Sequence, residues 1–417
     1  MITYGLCGRT LKHSYSRIIH EYLGNKEYRL INLERDEFYE LFESRVFKAC
    51  NVTIPYKKDA YDLCNVLSEE AKYIGSVNTV VNRDGVLYGY NTDYAGFVYM
   101  LERAGIDIGG KNVVILGTGG TSLTANAVCR KKQAAKITVV SRSGQINYSN
   151  VYDLSDTEII INTTPVGMYP DNGRSAVDIS KFPRLCGVVD VIYNPLKTKI
   201  LSDAQELGIP CTGGLPMLVY QAVRAHEIFF DTKVDDSKIS EVLAGCLFDT
   251  ANIVLIGMPG CGKTSVGKEL SQRLSRVFLD SDSFVEQSGM KIPEIFERYG
   301  EQEFRNRETE ALKMLTALSG KIIATGGGAV LNDNNVSLMH QNGIVVYVRR
   351  ELSKLATDGR PLSDGGIERL EKLYNERKEL YESAADITVD TNEDVFGCAQ
   401  RIIESVKDNI LRLCPGK

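Results

Sequence analysis

The segment 252–264 constrains the fold of this chain more than any other stretch. It reads Asn-Ile-Val-Leu-Ile-Gly-Met-Pro-Gly-Cys-Gly-Lys-Thr, and Gly257, Gly262, Lys263 and Thr264 satisfy the pattern G-x-x-x-x-G-K-[ST]. An apolar run precedes this loop, and apolar residues at helical spacing follow it. In such a strand–loop–helix unit, backbone N–H groups surround phosphates, the lysine neutralises their charge and the hydroxyl binds Mg²⁺. The segment therefore predicts an ATP and Mg²⁺ site on an α/β domain with a parallel sheet.

A second glycine loop lies in the N-terminal half of the chain. The strand-like run 112–116 leads into Gly117, Gly119 and Gly120, and a helical pattern follows. Glycines here let a pyrophosphate approach the N–H groups at a helix start, although a plain turn between strand and helix fits the same pattern. The next strand-like run is followed by Arg142 and not by an acidic residue, and Arg142 suits the 2′-phosphate of NADP. We therefore predict NADP(H) as the ligand in preference to NAD.

Short β-branched runs alternate with helical patterns along the chain, which indicates parallel sheets covered by helices. The 417 residues exceed one ordinary core, so two or three domains are expected. The polar connection 231–237 and the helix-like stretch 239–248 separate the two glycine loops, and we place a domain boundary near residue 245. The strand-like runs are 113–116, 137–140, 159–161, 188–192, 253–256, 322–324 and 344–348.

Charge and composition exclude several classes of function. The net charge is -5 with both signs interspersed, which offers no basic surface for nucleic acid or an anionic membrane, so small molecules are the expected partners. No apolar run approaches the roughly 20 residues that span a bilayer, and we expect a cytoplasmic protein. The ten cysteines form no C-x-x-C pair and the four histidines no metal-binding pattern, which predicts reduced thiols and no tightly bound zinc or iron. The oligomeric state stays open.

Lys57 and Asp93 are a candidate catalytic pair upstream of the Gly117 loop. Lys57 follows a proline turn, and Asp93 stands at the entry to the nucleotide-binding half. Reduction of a ketone by hydride places negative charge on oxygen, and an ammonium paired with a carboxylate can supply the proton. A solvated lysine and a turn-capping aspartate fit the same positions when spacing alone is considered.

Asp280 and Asp282 follow a short apolar run downstream of the phosphate-binding loop. Strand alternation predicts both carboxylates on the same side, where one can reach Mg²⁺ and the other a substrate hydroxyl. An ordinary acidic strand end is the alternative.

Six ordered motifs cover nearly the whole of the first 245 residues. They are Ser14-Tyr-Ser16, Asn51-Val-Thr-Ile-Pro-Tyr-Lys57, Gly75-Ser-Val-Asn78-Thr, Asn91-Thr-Asp93, Gly117-Thr-Gly-Gly120 and Gly214-Leu-Pro-Met-Leu-Val-Tyr-Gln221. This set resembles shikimate dehydrogenase. The resemblance implies NADPH-dependent reduction of 3-dehydroshikimate to shikimate, with Lys57 as acid/base. It also implies an NADP-binding domain over 96–213 and a split α/β substrate domain formed by 1–95 and 214–245.

The same resemblance assigns ligand-binding residues in the N-terminal part. The substrate carboxylate falls to Ser14 and Ser16, and the substrate hydroxyl groups fall to Thr53, Asn78, Asp93, Tyr193 and Gln221. Residues assigned to NADP(H) on a Rossmann-like domain are Gly117, Thr118, Gly119, Gly120, Thr121, Ser141, Arg142 and Gly214.

Four motifs in the C-terminal part follow the phosphate-binding loop, namely Gly300-Glu-Gln-Glu-Phe-Arg305, Thr325-Gly-Gly-Gly328, Gly359-Arg-Pro-Leu362 and Arg377-Lys-Glu-Leu-Tyr381. With the loop they resemble shikimate kinase over about 250–417. The resemblance implies a P-loop domain, like that of nucleoside-monophosphate kinases, that phosphorylates the 3-hydroxyl of shikimate.

The kinase resemblance also assigns roles to residues. Asp282 would orient or deprotonate the attacking hydroxyl, Arg360 would close from a lid onto ATP, and Thr264 with Asp280 would hold Mg²⁺, the latter through water. The kinase substrate is assigned to Asp282, Arg305, Gly327, Gly328 and Arg377. ATP is assigned to Gly257, Gly260, Cys261, Gly262, Lys263, Thr264, Ser265 and Arg360.

Two other interpretations stay open at this point. One is a quinate/shikimate dehydrogenase with NAD preference joined to the kinase, which Arg142 opposes. The other is a nucleotide-binding regulator in which one half has lost catalysis, which the complete set of candidate catalytic residues opposes.

Overall fold

The chain divides into two compact units between Cys246 and Leu247, and both have α/β architecture. This computed structural model describes residues 2–11, 14–355, 366–391 and 394–414. Among the helices of those ranges, none has the length and apolar content needed to cross a membrane. Six of the seven strand-like runs named from the sequence fall wholly on strands, and the seventh, 188–192, extends two residues past a strand that ends at Asp190.

The first lobe of the N-terminal unit is built on a mixed sheet. Its strands are β1 (Ile2–Gly8), β2 (Tyr28–Asn32), β3 (Phe47–Val52), β4 (Val66–Leu67), β5 (Thr79–Arg83) and β6 (Val86–Tyr90), and its helices are α1 (Ser16–Tyr22), α2 (Arg35–Ser44), α3 (Lys57–Leu63) and α4 (Glu69–Ile74). The strand order is β2-β1-β3-β5-β6-β4. Strand β5 runs antiparallel to both β3 and β6, whereas the other pairs are parallel.

The strand-like runs named from the sequence begin at residue 113, so they did not include the antiparallel strands of this lobe. Strands β5 and β6 are joined by Asp84 and Gly85, both at positive φ, with Arg83 paired to Val86. A two-residue Asp-Gly turn makes an antiparallel hairpin, since a parallel crossover needs a much longer connection.

The second lobe is a parallel sheet covered on both faces. Its strand order is β11-β10-β9-β7-β8. Side chains of the central strands alternate between two cores: Val113 and Ile115 pack with one helix layer, and Val114 and Leu116 pack with the other. This alternation confirms the predicted Rossmann-like arrangement. The elements are α5 (Thr92–Arg103), β7 (Asn112–Leu116), α6 (Gly120–Lys131), β8 (Lys136–Val140), β9 (Ile159–Asn162), β10 (Gly187–Asp190), α7 (Lys199–Glu206), β11 (Cys211–Thr212) and α8 (Leu215–Phe230). Helix α9 (Asp236–Thr250) follows α8 and contains the division between the two units.

Helix α8 returns from the second lobe to the first. It packs along α5 and also contacts α1, β3 and β5. The α5–α8 crossing is close at Gly96, where a Cβ would stand 2.6 Å from the Met217 carbonyl oxygen. Only glycine permits this approach without displacing a backbone.

The C-terminal unit is a parallel sheet with strand order β13-β14-β12-β15-β16. Strand β12, which precedes the phosphate-binding loop, is buried along its whole length, as expected for a central parallel strand. The elements are β12 (Asn252–Ile256), α10 (Lys263–Leu274), β13 (Phe278–Asp280), α11 (Ser281–Glu286), α12 (Ile292–Thr316, broken at Gly300), β14 (Ile322–Ala324), α13 (Asp333–Asn342), β15 (Gly343–Arg349), α14 (Gly366–Ala384), β16 (Ile387–Asp390) and α15 (Val395–Leu413).

Candidate active sites

The N-terminal unit contains a cavity of about 320 Å³ between its two lobes. This volume suits a small organic ligand. Its walls include all seven residues assigned to the dehydrogenase substrate, together with Lys57, Thr121 and Gly214. The polar lining residues are Thr10, Ser14, Ser16, Asn51, Thr53, Lys57, Asn78, Asp93, Thr121, Tyr193 and Gln221.

Lys57 and Asp93 form an ion pair in this cavity, with Lys57 Nζ 2.5 Å from Asp93 Oδ2. Each residue lies in the first turn of a helix, because α3 begins at Lys57 and α5 at Thr92, where the Asn91 side chain caps the helix. Both side chains are largely buried but keep some exposure, 23% for Lys57 and 13% for Asp93. An ammonium that is paired yet accessible to the cavity can donate a proton to a bound ligand.

Asn78 fixes the other oxygen of the Asp93 carboxylate. Its Nδ2 donates to Asp93 Oδ1 at 2.9 Å, and its Oδ1 accepts from the Thr92 N–H at 2.7 Å. Behind it, Asn51 Nδ2 donates to Thr79 Oγ1 at 3.0 Å, and the buried Tyr28 hydroxyl donates to Asn51 Oδ1 at 2.7 Å. A buried network with these partners holds the carboxylate in one orientation.

Asn51 and Thr92 were not assigned from the sequence, although each lies inside a motif that was quoted. Asn51 opens the motif that ends at Lys57, and Thr92 precedes Asp93. Asn51 lines the cavity, and the Thr92 hydroxyl lies 3.5 Å from Gln221 Oε1 on α8. The available signal was therefore that both are polar residues within motifs that had been quoted for their neighbours.

The serine pair and Tyr193 face each other from the two lobes. Ser14 Oγ accepts from the Ser16 N–H at 3.3 Å, and the ring of the intervening Tyr15 packs on Tyr193 with centroids 5.2 Å apart. Burial raises the pKa of Tyr193, so its hydroxyl is neutral and can serve as a hydrogen-bond donor.

Asp190 ends β10 and anchors the loop that carries Tyr193. Its Oδ1 accepts from Asn162 Nδ2 and from the Ile192 N–H, each at 3.0 Å, and its Oδ2 accepts from Thr198 Oγ1 at 2.6 Å. Burial raises the pKa of Asp190 to about 6, although these three hydrogen bonds oppose the shift.

The first glycine loop joins β7 to α6 at the carboxyl edge of the parallel sheet. Helix α6 begins at Gly120 without a side-chain cap, which leaves its N-terminal N–H groups for a ligand. Thr121 and Gly214 reach the cavity, whereas Thr118, Gly119 and Gly120 are exposed beside it. Ser141 and the exposed Arg142 follow β8, the strand next to β7. A dinucleotide laid across this edge would meet both loops.

The C-terminal unit contains a second cavity, of about 540 Å³. It extends from the phosphate-binding loop to α11, α12 and the Thr325–Gly328 segment. The lining residues with polar or charged side chains are Lys263, Thr264, Ser265, Asp280, Asp282, Ser283, Glu286, Arg305, Glu308, Thr325 and Arg350.

Lys263 and Thr264 are poised at the start of α10. Lys263 Nζ donates to the Gly257 and Met258 carbonyls at 2.8 and 3.0 Å, and Thr264 Oγ1 donates to Asp280 Oδ2 at 3.0 Å. A hydroxyl beside a carboxylate is a suitable pair of oxygens for Mg²⁺, whose other ligands are then water and phosphate. Gly257 and Cys261 lie outside the cavity lining.

Asp282 lines the cavity from a helix and not from a strand as predicted. Strand β13 ends at Asp280, whose Oδ1 caps α11 by accepting from the N–H groups of Asp282 and Ser283 at 3.1 Å. Asp282 therefore lies in a helical first turn, and the strand-alternation argument is wrong. The cap turns the chain by a helical step, so that both carboxylates still line one cavity.

Arg305 is held at the far end of the cavity by acidic residues of its own helix. Its Nη1 donates to Glu308 Oε2 at 2.8 Å, its Nη2 donates to Glu301 Oε1 at 3.0 Å, and its guanidinium lies against the backbone of Gly328. Glu308 was missed in the sequence. It is 1% exposed, burial raises its pKa against the opposing effect of Arg305, and its Oε1 has no hydrogen-bond partner among the described residues.

Two assigned arginines differ in what the structure says about them. Arg377 is buried and does not line the cavity. Its Nη1 donates to the Gly327 carbonyl oxygen at 3.1 Å, and the Tyr381 hydroxyl donates to the same oxygen at 2.5 Å. Arg360 lies outside the described residues.

Comparison with known proteins gives two family matches on one chain. A model of the shikimate dehydrogenase substrate binding domain matches residues 6–80, and a model of shikimate kinase matches residues 259–407. Shikimate dehydrogenase (NADP(+)) of Clostridium perfringens is 38% identical over 263 residues, which cover 58% of this chain and 97% of that protein.

Solved structures resemble the same N-terminal part. A chorismate mutase/shikimate 5-dehydrogenase fusion protein from Clostridium acetobutylicum is 34% identical with a TM-score of 0.55, covering 58% of this chain and 95% of its own. Shikimate 5-dehydrogenase from Thermus thermophilus, solved with NADP(H) and shikimate, is 27% identical with a TM-score of 0.53, covering 59% of this chain and 100% of its own.

Proposed function

We propose residue roles from the premise that this chain belongs to the shikimate dehydrogenase family and also carries a shikimate kinase domain. The chain is an enzyme with two activities. One reduces 3-dehydroshikimate to shikimate with NADPH, and the other phosphorylates shikimate to shikimate 3-phosphate with ATP and Mg²⁺. The relatives named for NADP(+) favour this cofactor over the NAD-preferring alternative.

The dehydrogenase roles are supported by one observation above all: the seven assigned substrate residues and Lys57 line a single cavity with Thr121 and Gly214 of the nucleotide-binding loops. NADPH supplies the hydride when bound. Lys57 delivers the proton to the ketone oxygen of the substrate. Asp93, which is held by Asn78, orients the Lys57 ammonium toward that oxygen. Ser14 and Ser16 bind the substrate carboxylate.

The kinase roles follow the electrostatics of the second cavity. Lys263 moves from the loop carbonyls to the phosphates of ATP, and Thr264 with Asp280 would hold Mg²⁺. Asp282 orients the attacking hydroxyl, and Arg305 binds the substrate carboxylate with its planar fork. Arg377 donates to the Gly327 carbonyl from outside the cavity lining, and Arg360, which lies outside the described residues, binds ATP as the resemblance implies.

We further propose that the enzyme works in the cytoplasm on small molecules alone. No disulfide joins any two of the ten cysteines, all of which lie in the described part of the chain, and this suits a reducing compartment. The interspersed surface charge offers no footprint for nucleic acid or membrane.

The test supplies the full chain with 3-dehydroshikimate, NADPH and Mg-ATP and measures shikimate 3-phosphate. Lys57→Met should abolish NADPH oxidation while the same protein still phosphorylates added shikimate. The Lys263→Met variant should still reduce 3-dehydroshikimate but not phosphorylate the product, so that shikimate accumulates in the reaction. Exposed neighbouring lysines provide matched controls, Lys58→Met and Lys268→Met, which should keep both activities. Loss of both activities in a folded Lys57 or Lys263 variant would contradict the assignment of separate sites.

A further inference from the structure

Arg350 occupies the carboxyl edge of the C-terminal sheet, directly beside the phosphate-binding loop. Strand β15 pairs with β12 in register, with Tyr347 opposite Ile256. The loop begins at Gly257 and Arg350 follows the last residue of β15, so the two segments leave neighbouring strands at the same edge. The carboxyl ends of parallel strands are where such sheets bind ligands.

The guanidinium of Arg350 is directed at the loop. Arg350 lines the second cavity, and its Nη1 lies 3.7 Å from the position a Cβ would take on Gly262, next to Lys263. Its Nε is buried without a hydrogen-bond partner, and within the described residues no ion pair joins Arg350 to an acidic side chain. A desolvated donor on a cationic group raises the free energy of the folded chain unless something accepts its hydrogen bond.

The neighbouring Arg349 shows what a structural arginine looks like at this edge. Its Nε and Nη2 donate to the two carboxylate oxygens of Asp390 at 2.6 and 2.9 Å. The two adjacent arginines therefore differ: the hydrogen bonds of Arg349 are made within the protein, whereas Arg350 lines the cavity with donors that a ligand can use.

We propose that Arg350 binds the phosphate chain of ATP in the kinase reaction, an inference that rests on the proposed kinase function of this cavity. The planar guanidinium matches phosphate oxygens, and an anionic ligand at the loop would accept from the buried Nε. Lys263, at the start of α10, and Arg350, just after β15, then contact the phosphates from two separate segments, which fixes the phosphate chain in position as well as neutralising its charge.

The test compares Arg350→Met with the matched control Arg349→Met in the full chain. Binding of ATP and of inorganic tripolyphosphate is measured by calorimetry, which needs no turnover and so stays informative if the chain fails as a kinase. Arg350→Met should weaken both ligands by about ten- to a hundredfold. Arg349→Met should change each by less than about threefold. The KM for shikimate should be unaffected in both.

Three results would overturn the proposal. Weakened ATP binding with unchanged tripolyphosphate binding would place Arg350 at the base instead. Unchanged binding of both ligands would give it no role, and equal losses in the Arg349 variant would indicate a general change of the strand end. If Arg350→Met does not fold, Arg350→Gln keeps a planar polar group without the charge, and the same losses are expected of it.

Discussion

Replacing Asp190 by Asn should make the stability of the N-terminal unit less dependent on pH. The carboxyl group ends β10, is fully buried, and faces three donors from Asn162, Ile192 and Thr198. Burial raises its pKa from the ordinary 3.8 to about 6 in the folded chain. The folded form therefore binds a proton in a pH range where the unfolded form has already released it.

Asp190 stabilises the folded chain more at low pH than at high pH. With a raised folded pKa, the contribution of Asp190 to stability is complete below about pH 4 and is lost as the pH rises through 6. Each pKa unit corresponds to about 1.4 kcal/mol, so the full range is roughly 3 kcal/mol and the step from pH 8 to pH 5 is about 1.4 kcal/mol. Asn resembles the protonated carboxyl in shape and cannot ionise. The free energy of unfolding of the Asn variant minus that of the parent chain should therefore be about 1.4 kcal/mol smaller at pH 5 than at pH 8.

Urea unfolding can measure this in one unit at a time because the chain contains no tryptophan. A tryptophan introduced by Tyr152→Trp, at a partly buried ring beside Phe182, would give a fluorescence signal from the N-terminal unit alone. It is introduced both into the chain with Asp190 and into the Asp190→Asn variant. The free energies of unfolding at pH 8 and pH 5 give the double difference. A difference that stays constant between the two pH values, or that grows toward pH 5, would refute a raised pKa at Asp190.

Three further predictions concern activity. Asp93→Asn should lower kcat for reduction by about 10²- to 10⁴-fold with phosphorylation unchanged, as measured by NADPH absorbance; an effect on KM alone would remove Asp93 from proton transfer. Glu308→Gln should raise the KM of the kinase for shikimate by about tenfold, since Arg305 loses a charged partner, while the KM for ATP stays constant; a rise in both would indicate a distorted cavity. Arg142→Asp should lower the ratio of kcat/KM for NADPH to that for NADH by at least about tenfold, and an unchanged ratio would show that the 2′-phosphate is bound elsewhere.

Features that depend on neighbouring residues in the chain could be predicted from the sequence. Both glycine loops were identified because strand, turn and helix follow each other within a few residues, and the central parallel strands stood out as unbroken apolar runs. The Asp84-Gly85 hairpin carried an equally local signal but was not used, and it accounts for the mixed first sheet.

Features that arise from packing could not be predicted in this way. Glu308 lies one helical turn from Arg305, and nothing in the local sequence distinguishes it from a solvated acidic residue until α12 packs over the cavity. The chain from Tyr28 through Asn51 to Thr79 spans three strands, so its members become partners only after the sheet has formed. Asp282 was found for the wrong reason, because the cap that ends β13 cannot be distinguished from a longer strand by alternation alone.

The crossing of α5 and α8 at Gly96 limits how this enzyme can diverge over evolutionary time. The two helices carry Asp93 and Gln221 to the same cavity, and their separation is set by a contact that excludes even a methyl group. Any substitution at position 96 would push the helices apart and change the distance between the proposed proton-transfer pair and Gln221, the residue proposed to bind the substrate. Descendants of this sequence can therefore acquire new substrates by exchanging side chains that line the cavity, whereas a wider cavity made by separating its helices is closed to them.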